Sequence, residues 1–333
     1  MTLLLIGDPH LKITRFDLAV QFLNWVTELA VKLKPDMVVN LGDTFDTHAV
    51  VRSELMTEFK NHAETITAEG IDYWYVLGNH DFYKPTSSKY HALQTMNGFD
   101  NHFLVVDQRL DFQNITFLPH YPDHKQFPKD TREICIAHQT FIGADYGYNR
   151  PDVGVDPATI AAEIIISGHI HMRQGFGKVI YPGTPYAQSS DDIDQFKGVM
   201  LFDTKTYQQK FIQCPLPMWR GVKFDLRDGE APDLSFNNKD HWVVECTGPK
   251  AEVIAFRDSD EFKQAKKGCD VKFIPKFTDK EKRLVQIEAV SMDKIMTEWT
   301  EKIYQGNIDK QLIASKAIEI LAKVRQQNAK VKL

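Results

Sequence analysis

The sequence predicts an α/β protein: a layered sheet domain over residues 1–213, a small α+β domain over 214–288, and a helical segment over 289–333. Three observations carry this division. Short continuous apolar runs alternate with stretches of helical periodicity through the first two hundred residues. Near Cys214-Pro215-Leu216-Pro217 the rhythm changes to short strands punctuated by glycine, and from Ser291 onward only helical stripes remain.

Leu3–Ile6 is uninterrupted by polar residues, as are Met37–Leu41 up to Asn40, Tyr73–Leu77, Ile134–Ala137 and Ile164–Ile166. A strand with one wet face alternates polar and apolar, so continuous runs of this length indicate a sheet covered on both faces. Between the first three runs lie two helical patterns. Phe16, Ala19, Val20, Leu23, Val26, Ala30 and Leu33 form one stripe, and Leu55, Phe59, Ala63 and Ile66 form another. In the second domain the expected strands are Val222–Leu226, His241–Cys246, Val271–Ile274 and Leu284–Ile287, with Gly229, Gly248-Pro249 and Gly268 at turns. The last segment holds two amphipathic stripes, Met292, Ile295, Met296, Trp299 and Ile303, then Ile313, Ala317, Ile320, Leu321 and Val324. They are the candidate docking surface for another protein.

No run approaches the ~18 apolar residues of a membrane span, so no membrane association is expected. The apolar N-terminus lacks a basic leader and reads as a buried strand rather than a signal peptide. The four cysteines, Cys135, Cys214, Cys246 and Cys269, form no C-x-x-C pair, which argues against a zinc ribbon or disulfide framework and for a cytoplasmic protein. A net charge of −5 excludes coating nucleic acid by charge alone. That average hides a split. Residues 250–333 hold 18 Lys+Arg against 13 Asp+Glu, leaving 22 against 32 in the rest, so an acidic body is joined to a basic C-terminal third.

The chemistry is concentrated where the apolar runs end. Leu3–Ile6 leads to Gly7-Asp8-Pro9-His10, Met37–Leu41 to Gly42-Asp43-Thr44-Phe45-Asp46, and Tyr73–Leu77 to Gly78-Asn79-His80-Asp81. Ile134–Ala137 leads to His138, and Ile164–Ile166 to Ser167-Gly168-His169-Ile170-His171. Loops at the carboxyl ends of strands in α/β sheets converge on one crevice. Carboxylate, amide oxygen and imidazole without thiolate suit hard or intermediate divalent ions such as Mn²⁺. An Asp-x-His, a central Asp, an Asn and a His-x-His form an inventory for two such ions, with one carboxylate able to bridge them. For the single histidine of the set, His120 and His124 compete with His138. His138 is preferred because it closes an apolar strand, whereas the other two lie in a proline-rich loop. Lys12, Arg15, Tyr83 and Lys84 flank the first and third loops and are candidate DNA contacts. His48, His62, His91, His102 and His241 match no ligand spacing.

The series Asp8-Pro9-His10, Gly42-Asp43, Gly78-Asn79-His80-Asp81, His138 and Gly168-His169-Ile170-His171 resembles the calcineurin-like metallophosphoesterase superfamily over roughly residues 1–190. Gly42-Asp43-Thr44-Phe45-Asp46 and Tyr181-Pro182-Gly183-Thr184-Pro185 place the resemblance in its SbcD branch, in a compact form typical of bacteriophage recombination nucleases. The resemblance implies a layered metallophosphoesterase β-sandwich flanked by helices, with a small capping domain. It implies that Asp8, His10 and His171 hold one metal, that Asn79, His138 and His169 hold the other, and that Asp43 bridges them. His80 would face the scissile phosphate, with Asp81 orienting it. The cofactors would be two Mn²⁺ ions, with Mg²⁺ as the alternative. The activity would be a 3′-to-5′ exonuclease and single-strand endonuclease, and the partners DNA, an SbcC-type coiled-coil ATPase and a second copy of the chain. Asp46 stands where some relatives carry a histidine, which leaves the substrate role of that position open. No G-x-x-x-x-G-K-[ST] loop occurs in the chain, so ATP hydrolysis would fall to the partner. A phosphatase or nucleotide phosphodiesterase of the same superfamily is the rival, and a scaffold without catalysis is disfavoured by the complete ligand set.

Overall fold

The computed structural model of the chain describes residues 1–48, 51–84, 87–96, 98, 100–147, 153–229 and 232–279, and five isolated positions between 312 and 319. In chain order its strands are β1 (Thr2–Ile6), β2 (Met37–Asn40), β3 (Asp72–Val76), β4 (Phe82–Lys84), β5 (Ser87–His91), β6 (Phe103–Val106), β7 (Leu110–Phe112), β8 (Ile115–Leu118) and β9 (Ile134–His138). They continue with β10 (Ile164–Gly168), β11 (Gln174–Phe176), β12 (Val179–Tyr181), β13 (Gly198–Asp203), β14 (Gln209–Gln213), β15 (Trp219–Asp225), β16 (His241–Gly248) and β17 (Asp270–Phe277). The α-helices are α1 (Phe16–Leu33), α2 (Ser53–Thr67), α3 (Lys250–Asp258) and α4 (Asp260–Ala265).

Two six-stranded sheets form the body, in the orders β14-β13-β1-β2-β3-β6 and β11-β12-β10-β9-β8-β7. In the first, β1, β2, β3 and β6 run parallel, and β13 and β14 extend it antiparallel. In the second, β12, β10, β9 and β8 are parallel between antiparallel edges. The continuous apolar runs are explained by two different burials. Leu3, Leu5, Met37, Val39, Trp74 and Val76 meet Phe117, Ile134, Ile136 and Ile166 in a layer between the sheets. Leu4, Ile6, Val38, Tyr73 and Tyr75 point the other way and pack against α1 and α2 through Phe22, Val26, Phe59 and Ile66. The outer face of the second sheet is covered by loop residues such as Phe127, Phe141 and Ile160. Each such side chain contributes about 1.5–3 kcal/mol when fully buried. α1 stops at Lys34, which turns left-handed (φ 49°) and donates its N–H to the Ala30 carbonyl.

His62, which matches no ligand spacing, lies in the apolar stripe of α2 and is 4% exposed. The Thr27 hydroxyl donates to the Leu23 carbonyl, so His62 Nδ1–H is the donor in its 2.6 Å bond to Thr27 Oγ1. Burial pushes its pKa down to about 4. The unfolded chain therefore binds a proton there between about pH 6.5 and 4 that the folded chain does not. Stability from this group is complete above pH ~6.5 and is lost as pH falls toward 4, by about 3 kcal/mol. Urea midpoints should fall across that window and fall less steeply in His62→Gln; equal slopes would remove His62 as the source.

The smaller sheet, β15-β16-β17, is parallel throughout, and α3 and α4 form the crossover between its last two strands. Val243, Val244, Cys246, Val253 and Phe262 are buried in it; the Phe262 ring meets Phe256 and Phe273, and Phe256 meets Phe224. It belongs to a compact unit spanning Met1–Thr278, while Asp279–Leu333 form a second unit. The expected strand Leu284–Ile287 and the expected docking helices, Met292–Ile303 and Ile313–Val324, lie outside the described residues, apart from isolated helical positions such as Ile313 and Lys316. Among the described residues, no helix is long and apolar enough to cross a membrane.

Candidate metal centre

The carboxyl ends of β1, β2 and β3 in one sheet and of β9 and β10 in the other meet at one edge of the sandwich, and the polar loops meet there. Asp43 is central. Ligand-capable atoms of His10, Asp43 and His80 lie within 4.8 Å of one another, and so do those of Asp43, His138 and His169. Asp43 Oδ2 is 3.2 Å from His138 Nε2 and 3.9 Å from His10 Nε2. Asn79 Oδ1 is 3.1 Å from His138 Nε2 and 2.7 Å from His169 Nδ1. His10 Nε2 and His171 Nε2 face each other at 3.0 Å. Asp8 Oδ1 accepts from the His169 backbone N–H at 2.7 Å and lies 3.6 Å from His138 Nδ1. All seven expected ligands therefore line one small volume. His80, expected to face the phosphate rather than hold a metal, is also within reach of His10 and Asp43.

The backbone reaches this arrangement at a cost. His10 (φ 43°), Asp43 (φ 52°) and His169 (φ 85°) all adopt left-handed conformations, which cost of order 1–3 kcal/mol each in a non-glycine residue. Each is pinned by an N–H bond within the site: His10 to the Asp43 carbonyl (3.0 Å), Asp43 to Asp81 Oδ2 (3.0 Å), and His169 to Asp8 Oδ1. Gly42, at φ 100°, supplies the turn into Asp43, and a β-carbon there would strike Gly78 and His138.

One expectation is corrected. Asp81 does not orient the His80 ring. Its Oδ2 accepts from the Gly78 and Asp43 N–H groups (2.7 and 3.0 Å), and its Oδ1 accepts from the Tyr75 hydroxyl at 2.8 Å. A carboxylate at the end of so tight a turn reaches the N–H groups of its own loop and the adjacent one before it reaches the neighbouring ring. Asp81 thus ties the β2 and β3 loops together. The His80 Nδ1–H is held by the main-chain carbonyl of Asp46 at 3.1 Å, which leaves Nε2 as the ring's outward atom.

His138 earns its place over its competitors by geometry. Its Nδ1–H donates to the Leu41 carbonyl at 2.6 Å, which directs its Nε2 at Asp43 and Asn79. His120 lies behind the cluster, donating to the His138 carbonyl at 3.2 Å and stacked near His169, while His124 sits in a short 3₁₀ turn.

Electrostatics follow from burial and crowding. Burial lifts the Asp8 carboxyl above its usual range against the pull of His138. Burial works upward on Asp43 as well, but the adjacent His138 outweighs it and holds that carboxyl below the usual range. Burial opposes a charge on His138, yet Asp43 and Asp8 overrule it and raise the imidazole to about 9. Burial drives His10 and His169 down to about 3. Burial, reinforced by Asp43, raises Asp81 to about 7. Among the described residues, buried Asp8 Oδ2 and His10 Nδ1 find no hydrogen-bond partner. A lone-pair oxygen buried without a donor, inside a ring of imidazoles, fits divalent cations.

Two residues support the site that spacing did not flag. His48 stacks on His80 (4.1 Å between centroids, 18° between planes) and donates Nδ1–H to the Asn79 carbonyl at 3.0 Å. Lys197, only 3% exposed, donates to the His171 carbonyl (3.0 Å) and pairs with Asp192 at 2.6 Å. Lys197 immediately precedes the apolar strand β13, and that abrupt buried lysine was the available signal. Of the candidate DNA contacts, Lys12 pairs with Asp46 at 3.3 Å, and Arg15 donates to the Ala187 and Gln188 carbonyls. Tyr83 and Lys84 are exposed.

The calcineurin-like phosphoesterase family model matches residues 1–173. "Exonuclease subunit 1" of Enterobacteria phage T4 is 23% identical, over 72% of this chain and 75% of its own length. Two invertebrate iridescent virus proteins are also similar. "Putative phosphoesterase 078R" of virus 3 is 22% identical over 79% of this chain and 81% of its own, and the corresponding 244L protein of virus 6 is 27% identical over 77% and 96%.

Proposed function

This chain belongs to the calcineurin-like phosphoesterase family, and we propose that it is the nuclease subunit of an SbcCD-like recombination or repair complex, cleaving DNA phosphodiesters with two Mn²⁺ ions. The observation that carries the metal part is Asp43, which is shared by both groups of ligand-capable atoms. In this reading Asp8, His10 and His171 would hold one ion and Asn79, His138 and His169 the other, with Asp43 shared by both. The ions would supply Lewis-acid stabilisation of the charge that develops on the phosphoryl oxygens. His80, fixed through Nδ1 by the Asp46 carbonyl, presents Nε2 to the phosphate and, when protonated there, stabilises charge on the leaving oxygen. Asp81 keeps the Asp43 and Gly78 loops in register.

The phage relative, named an exonuclease subunit, supports DNA as substrate and assembly with a second subunit. The division into a nuclease body (1–213), a DNA-facing cap (214–288) and a segment docking a coiled-coil ATPase (289–333) is part of the same proposal, as are 3′-to-5′ exonuclease and single-strand endonuclease activities and a homodimer. The test is hydrolysis of end-labelled single-stranded and duplex DNA beside a phosphomonoester, with Mn²⁺ or Mg²⁺. DNA cleavage that is strongest with Mn²⁺ is the expected result. Rapid phosphomonoester turnover with intact DNA would favour the phosphatase instead.

A further inference from the structure

Immediately after the His80-Asp81 turn the chain forms the β4–β5 hairpin. Its base is fixed to the site: Phe82 is fully buried, and Ala92 N–H donates to the Asp81 carbonyl at 2.9 Å. The hairpin nevertheless exposes two tyrosines, Tyr83 (50%) and Tyr90 (52%). With His48, His91 and Ala92 they line a cleft of about 450 Å³. His48 is a wall of this cleft and also stacks on His80, so the cleft and the metal centre share a partition one ring thick. The Lys84 ammonium lies 5.0 Å from the centre of the Tyr83 ring.

We infer that this cleft is a stacking site for one unpaired nucleobase of the strand whose phosphate lies at the metal centre. The inference rests on the nuclease reading above. Two exposed phenol rings and two imidazoles lining one cleft suit a group that has two π-faces and a polar rim, and the neighbouring ammonium suits the phosphate joined to it. A base inside a duplex has both faces covered by its neighbours, so entry requires an unpaired or extruded base. The cleft thereby selects single strands and frayed ends, and it does so through stacking rather than base-edge readout.

The test pairs a protein change with a substrate change. Hydrolysis of a single-stranded oligonucleotide is measured for the unaltered protein, for Tyr83→Ala/Tyr90→Ala and for Tyr83→Phe/Tyr90→Phe. The oligonucleotide carries normal residues or one abasic residue on either side of the cleaved linkage in turn. The alanine pair and the abasic residue at one of these positions should each lower kcat/KM about tenfold. Together they should lower it no further than either alone, because both remove the same stack. The phenylalanine pair should retain the rate. Additive losses, or cleavage indifferent to the abasic residue, would overturn the stacking site while leaving the nuclease intact. If the unaltered protein hydrolyses methyl p-nitrophenyl phosphate but no DNA, the nuclease reading fails and the inference with it.

Discussion

Asp43→Asn should lower metal-dependent phosphodiester hydrolysis by about 10³-fold, equivalent to ~4 kcal/mol of barrier. Several contributions converge on this one carboxylate. It approaches His138 and His10 on two sides, accepts the His80 N–H at 2.7 Å, and is the member common to both groups of ligand-capable atoms. An amide keeps the shape and that hydrogen bond to His80 but removes the charge that raises His138 to about 9 and that would hold two cations together. The fold should survive, since the asparagine loses no apolar contact. Steady-state rates at saturating Mn²⁺, with circular dichroism to confirm folding, check the prediction. A loss below tenfold in a folded variant would remove Asp43 from the bridging position.

Gly78→Ala should lower activity by about 10²-fold although it removes no ionisable group. A β-carbon at position 78 would stand 2.1 Å from Asp43 Oδ1 and 2.6 Å from His138 Cε1. Neither neighbour yields without loosening a bond that fixes it: Asp43 is held by Asp81 through its backbone, and His138 by the Leu41 carbonyl. The Asp43 carboxylate and the His138 imidazole must therefore be pushed apart, and overpacking adds a stability cost of about 1–3 kcal/mol. Gly70→Ala is the informative companion. Gly70 is left-handed (φ 75°) with open space where its β-carbon would go, so that variant should lose stability from backbone strain and keep its rate. Comparable rate losses in both would mean that general destabilisation, rather than displacement of Asp43, explains the Gly78 variant.

The ligand loops were legible because each follows directly on a continuous apolar strand, so local sequence marks both the strand and the chemistry that closes it. Burial on two faces, read from Leu3–Ile6 and Met37–Leu41, is seen as Leu5 and Val39 between the sheets and Leu4 and Val38 under the helices. The antiparallel return of β13 beside β1 was not legible, because a pairing across two hundred residues leaves no periodic trace, and the two-sheet layering was expected from the family resemblance rather than from periodicity. The bond from Asp81 to the Asp43 N–H was hidden for the same reason. Adjacency in sequence suggested His80, while the closer partner comes from a loop 38 residues away. His48 follows no strand and has no spacing partner. Only the turn after Asp43 brings it onto His80. The stacking cleft combines that histidine with a hairpin whose two tyrosines look in sequence like ordinary surface residues.

Titration of metal-free protein with Mn²⁺ in a calorimeter, run in two buffers of different ionisation enthalpy, tests the metal centre most directly. Two ions per chain are expected, with release of protons from the ligand side chains as the ions bind. Asp43→Asn should bind at most one ion tightly. A chain that takes up no ion, or one whose uptake is the same in Asp43→Asn and His138→Ala as in the unaltered protein, would contradict a metal centre built on these residues.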